Sequence, residues 1–147
     1  MTEQTTDPFR AAFHGRFHNV LRWEQLDGFW EVLHRDAGGN WHVYVVGESP
    51  PTEPANPDFF STFLSEIDQL LRREHAEDYC GVVFTDSFDT PTFVKIFDPN
   101  NLGVSCGYSD NPPLPGWILS KLPPVDLESN VVLPGNRRRW WNRLLGR

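Results

Sequence analysis

Cysteine is scarce in this chain, with Cys80 and Cys106 the only two in 147 residues. Two thiols make no disulfide framework, and no C-x-x-C spacing marks a redox pair. Long apolar runs are missing as well. Stretches such as "VYVV" and "GVVF" fall far short of the eighteen or so residues a bilayer crossing needs. The opening "MTEQTTDPF" is polar and acidic, with no apolar stretch behind a positive end, so no signal peptide is expected. Together these absences predict a cytoplasmic protein with reduced thiols. No glycine-rich phosphate loop is present, because Gly103 and Gly107 do not open a helix, and no repeat of fixed period is visible. Nothing in the pattern calls for a cofactor.

Positive charge is also scarce until the very end. Before Asn136, eight Lys and Arg stand against all twenty Asp and Glu, a balance of −12. The last twelve residues, "NRRRWWNRLLGR", carry +5 and no acid, which brings the chain to its net −7. A body this acidic repels phosphate backbones, which argues against a nucleic-acid partner.

What is abundant is apolar and aromatic material, 39% and 14% of the residues, enough for one well-formed core at this length. "DPFRAAF" opens a helix, with Asp7 as cap and Pro8 at its first position. Val20, Trp23, Leu26, Trp30 and Leu33 recur at helical spacing and predict one stripe, ended near Gly38 or Gly39 by a positive φ. Asp27-Gly28 raises a hairpin as the rival, but the apolar spacing fits 3.6 better than 2. "WHVYVVGE" reads as a strand, and the four prolines of "SPPTEPANP" as a stiff connection. "NPDFFSTFLSEIDQLLRREH" carries every helix signal: Asn56 as cap, Pro57 first, Asp58 and Arg72–Arg73 matched to the dipole, and an apolar stripe between.

Three short strands follow, in "DYCGVVFTDS", "TPTFVKIFDP" and "LGVSCGYS", with connections too short for parallel crossovers. Trp117 to Leu119, between prolines, reads as an edge strand or one helical turn. The predicted class is therefore α+β. A four- or five-stranded, mostly antiparallel sheet carries two main helices on one face, plus a short C-terminal amphipathic tail. The predicted organisation is one domain over 1–122, an extended proline-containing linker over 123–135, and the tail over 136–147.

Candidates for chemistry are few. Cys80 is the candidate nucleophile of a small cysteine-dependent enzyme, with His75 or His42 as base and Asp78 or Asp86 to orient it. Against this, no basic residue flanks either thiol, and free cysteine is usually buried filler. His14 and His18, four apart, would share a helical face and with Cys80 and Cys106 could complete a tetrahedral metal site. The 26-residue gap between the cysteines and the lack of an acid between the histidines weaken that pattern. Asp86, Asp89 and Asp98 sit in turn-forming sequences, where a carboxylate usually serves its own backbone. The "PPLP" at Pro112–Pro115 reads as loop shaping ahead of partner docking.

The tail carries the sharper signal. On a helical wheel Trp140, Trp141, Leu144 and Leu145 share one side, opposite Arg139, Asn142, Arg143 and Arg147. Such a segment is too short to be helical alone, and Arg137, Arg138 and Arg139 would stand at the positive end of its dipole. Burying two Trp and two Leu could contribute up to roughly 6–10 kcal/mol before ordering costs. The tail is thus expected to fold against a target, a groove on another protein or weakly and peripherally the inner face of a membrane, unless it lies on its own acidic body or stays frayed in solvent. The reading is a non-catalytic accessory or adaptor protein. Its binding residues are Arg137, Arg138, Arg139, Trp140, Trp141, Arg143, Leu144 and Leu145, and a protein is the expected partner.

Overall fold

The computed structural model describes residues 7–101, 114–127 and 135–146. In chain order these form α1 (Pro8–Phe13), β1 (His18–Val20), α2 (Trp23–Arg35), β2 (His42–Val45), α3 (Pro57–Glu74), β3 (Val83–Thr85), β4 (Phe93–Ile96), a 3-10 turn (Pro99–Asn101), β5 (Trp117–Ser120) and α4 (Gly135–Leu144). The strands make one antiparallel sheet in the order β1-β3-β4-β5-β2. The class is α+β, as the alternation of helix and strand patterns predicts. No helix among the described residues is long and apolar enough to cross a membrane.

Helices α1 and α3 start for local reasons. The Asp7 side chain accepts from Arg10 N at 2.8 Å, and Pro8 needs no donor there. Asn56 accepts from Asp58 N at 2.8 Å, with Pro57 following. Helices α2 and α3 lie on one face of the sheet. They bury Leu26, Trp30 and Leu33 with Phe60, Phe63, Leu64 and Ile67 against Val43, Val45, Val94, Ile96 and Leu119. Trp41 stacks on Phe60 at 5.4 Å, and Arg72 ties the two helices by reaching Asp68 in α3 and Asp27 in α2. The opposite face is covered by α1, whose Phe9 packs with Tyr44, Val46, Phe93 and Ile118. Because both faces are covered, all four residues of β2 are buried, and no clean alternation marks that strand.

Three expectations change here. Val20 belongs to β1, paired with Val83, and not to the helical stripe; Arg22 is extended (φ −106°, ψ 147°), so the helix begins at Trp23. The stripe that remains runs straight through Asp27-Gly28, where the glycine faces open space. The positive φ after α2 falls on Asn40 (63°) and not on Gly38 or Gly39. Asparagine tolerates that region, while a Cβ on Gly39 would sit 2.7 Å from the Asp36 carboxylate. Finally, β5 is neither edge nor helical turn. It pairs with β4 on one side and β2 on the other, and its flanking prolines fall outside the paired stretch. The expected strand over "LGVSCGYS" lies outside the described residues.

Candidate functional site

The basic segment is helical, and the surface it folds on is its own body. Trp140 and Trp141 are 6% and 9% exposed and join the main core. Trp140 meets Trp117 at 5.8 Å and Phe63 at 6.2 Å, while Trp141 meets Phe59 at 5.9 Å. Leu144 and Leu145 pack partly against the same core. The helix begins at Gly135, the residue expected to end the linker. Over 123–127 the chain is held by Arg10, which donates to Asp126 O at 2.7 Å, and by the Tyr44 hydroxyl, which accepts from Leu127 N at 3.3 Å.

Arg137 corrects the sequence reading most. It is 3% exposed, turned inward beside the tryptophans, and cannot serve as a docking cation on this surface. Its guanidinium donates to Glu74 through Nη1 (3.0 Å) and Nη2 (2.7 Å), and to Asp98 through Nε (2.7 Å) and Nη2 (2.9 Å). Burial alone would push Arg137 down, but the hydrogen bonds to Asp98 and Glu74 outweigh it and hold the group above its ordinary value. The Arg137 hydrogen bond in turn holds the Glu74 carboxyl below the usual range, against its own desolvation. Asp98 also accepts from Asn100 N at 2.9 Å, so the turn chemistry read from "FDPNN" is present, with a second duty added.

With Arg137 inward, Arg138, Arg139 and Arg143 face solvent. Arg143 is 71% exposed and only loosely approached by Glu66 at 3.9 Å. Arg73 at the end of α3 joins Arg139, Arg143, Asn136 and Trp140 around a cleft of about 460 Å3. The cleft brings three arginines from two helices together, with Glu74 and Arg137 in its lining already committed to each other. It is suited to carboxylate or other anionic groups.

The thiol and metal candidates are placed differently. Cys80 is fully buried, and burial pushes its thiol up against the opposing effect of the Val82 and Val83 amides. No described histidine hydrogen-bonds to its sulfur. The His75 ring packs against Trp23 and Tyr79, while His42 is held through Nδ1 by Ser120 O, on the sheet face that alternates away from Val43. The proposed orienting acid Asp86 spends its carboxylate on Thr92 and Phe93 amides within its turn. Asp78 and Asp89 are exposed. His14 caps α1 and His18 lies in β1, so they share no helical face, since α1 ends at Phe13. No group of three or more metal-binding side chains is assembled among the described residues; Cys106 and Arg147 lie outside them.

Lys95 has a setting that no sequence signal marked. Its ammonium lies 4.1 Å from the Phe13 ring centre and 4.0 Å from that of Phe17. Burial pushes it down to about 8, an effect the two ring faces oppose. Phe13 and Phe17 reach it from α1 and the turn after it, across the sheet from the basic cleft.

No protein-family model, curated protein or solved structure matches this chain.

Three outcomes are expected. Arg137→Ala leaves two carboxylates facing each other without a cation and should cost about 3 kcal/mol in urea unfolding. Arg137→Lys, which keeps charge but not the four-bond fork, should fall between. Acid should loosen α4 in the folded protein. Because the folded Glu74 value lies below the unfolded one near ~4.3, its contribution is complete above that value and lost as pH falls through the folded one. The Trp140 and Trp141 indole resonances should report this below about pH 4, with the acid dependence flattened in Glu74→Gln. In a Cys106→Ala background, Cys80 should react with iodoacetamide only as fast as the protein unfolds; reaction at the rate of a free thiol would restore the nucleophile reading.

Proposed function

We propose that this chain is a non-catalytic binding protein whose C-terminal helix presents arginines to an acidic segment of a partner protein. One observation carries the reading: Arg137, Trp140 and Trp141 are spent on the body, which holds Arg138, Arg139 and Arg143 outward on a rigid helix. An ordered arginine loses less freedom on binding than one on a frayed tail. Arg73 widens the row from α3 and makes it a cleft.

A membrane surface is the weaker reading. Peripheral helices hold to lipid by inserting apolar side chains, and here those side chains are in the core. Lipid attachment would first require α4 to release two tryptophans and the Arg137 ion cluster. A cytoplasmic setting accords with an acidic surface and a buried free thiol.

The test uses the full chain with defined probes: a synthetic ten-residue poly-glutamate peptide, and vesicles of phosphatidylglycerol or phosphatidylcholine. The peptide should bind with salt-dependent affinity, at least about tenfold more weakly to Arg139→Glu/Arg143→Glu. These exposed positions should leave thermal stability within about 0.5 kcal/mol. Equal binding by the double variant would discard the proposal, and tighter binding to phosphatidylglycerol vesicles than to the peptide would favour the membrane instead.

A further inference from the structure

The second cleft of interest lies on the other side of α4, where β2 forms an edge of the sheet. Its facing is set by pairing parity. Val46 N donates to Gly116 O at 3.0 Å, so in this antiparallel ladder the residues whose backbone groups point at β5 are His42, Tyr44 and Val46. Trp41, Val43 and Val45 therefore turn their backbone groups to the outer edge. Two of those groups are taken by the chain itself. Trp41 O accepts from Ala55 N at 2.7 Å, and Val45 O accepts from Glu48 N at 3.0 Å. Between them, Val43 N–H and Val45 N–H donate to no described residue, and Val43 C=O accepts from none. Buried backbone groups are almost always satisfied. Here they belong to residues only 6% and 3% exposed, on the floor of a cleft of about 510 Å3.

The walls specify what fits. Trp141 and Leu145 supply one side, and Gly47 to Ser49 with Pro51 the other. Val43 and Val45 point their side chains to the face on which Trp141 packs, so a residue opposite Val43 would aim its own side chain at Trp141 and Leu145. Glu48 is the single charged residue of the lining, and its carboxylate forms no ion pair with any described residue.

We infer that this cleft accepts one short extended peptide segment, which adds an antiparallel strand to β2 and carries an apolar residue opposite Val43 with a basic residue two positions before it. The backbone of that segment supplies a carbonyl for Val43 N–H, an amide for Val43 C=O and a second carbonyl for Val45 N–H. In antiparallel register the position two residues earlier lies opposite Val45, on the side of Glu48, which sets the basic requirement. A second copy of this chain fits poorly. Each edge is closed at both ends by its own Ala55 and Glu48 bonds, and a copy paired Val43 to Val43 would offer Val45 N–H only a Trp41 carbonyl that Ala55 already occupies. The site is separate from the basic cleft, so either can fail alone.

The probe is a capped synthetic peptide, Ser-Arg-Thr-Leu-Thr, titrated into the full 15N-labelled chain. Saturable shifts should centre on the Val43 and Val45 amides, whose hydrogen exchange should slow by about tenfold or more at saturation. N-methylation of the peptide leucine, which removes the donor to Val43 C=O, should weaken binding by about tenfold, as should Glu48→Lys at its partly exposed site. Binding indifferent to both changes would overturn the inference, as would a peptide that leaves both amides unmoved at about 1 mM. Protection of those amides that grows with protein concentration in the absence of peptide would overturn it in favour of self-pairing.

Discussion

A single guanidinium determines how the last part of this protein relates to the rest. Arg137 joins Glu74 at the end of α3 to Asp98 in the turn after β4, two residues far apart in sequence. Removing three charges from water is costly, and their mutual attraction roughly repays that cost only when geometry is good and every donor is used. Four hydrogen bonds at 2.7–3.0 Å, which use four of the five guanidinium N–H groups, come close to that condition. The cluster is therefore better understood as a positioning device than as a source of net stability. A forked cation held by two carboxylates fixes the rotation of α4 about its axis, whereas tryptophan burial alone would tolerate some roll.

The same cluster answers two local electrostatic problems. Three consecutive arginines at the start of a helix oppose its dipole, and Glu74 stands at the negative end of α3, where an acid is unfavourable. Bringing these together offsets both: the carboxylates lie near the positive end of α4, and the cation near the negative end of α3. The anionic surface that the tail needs in order to fold is thus present on the protein itself, at Glu74 and Asp98. That is why the segment is helical without an outside target.

The parts legible in sequence are those whose causes are local. Helix α3 could be read from cap to last turn because Asn56, Pro57 and the apolar stripe act within a few residues of one another. The role of Asp86 in its turn was legible for the same reason. Long-range causes left no such trace. Arg137, Arg138 and Arg139 are identical in type and adjacent, and only the distant positions of Glu74 and Asp98 select the first for burial. Strand β5 was misplaced because prolines on both sides suggested an edge, while its place in the middle of the sheet depends on pairing with residues far away. The outward-facing row on α4 was legible as amphipathic, and the contribution of Arg73 was not, since nothing in "RREH" points to residues near the C-terminus. The unpaired window on β2 is a matter of ladder parity, which no composition records.

Seen electrostatically, the fold separates charges that it uses up from charges that it leaves available. Arg72 is committed to Asp68 and Asp27, Lys121 to Asp36, and Arg137 to Glu74 and Asp98. Among the described residues, Arg138, Arg139 and Arg143 have no comparable commitment, on a protein of net charge −7. At physiological salt their field fades over about 8 Å, so their effect is confined to what approaches α4 closely. An acidic surface around a small basic row repels most anionic partners and attracts only those whose charge is concentrated in one short segment. On the proposed reading, such an arrangement contributes more to encounter rate and to the rejection of wrong partners than to raw affinity. Affinity would have to come from contacts beside the arginines. Since the tryptophans are already spent on the core, those contacts must be made with the cleft walls.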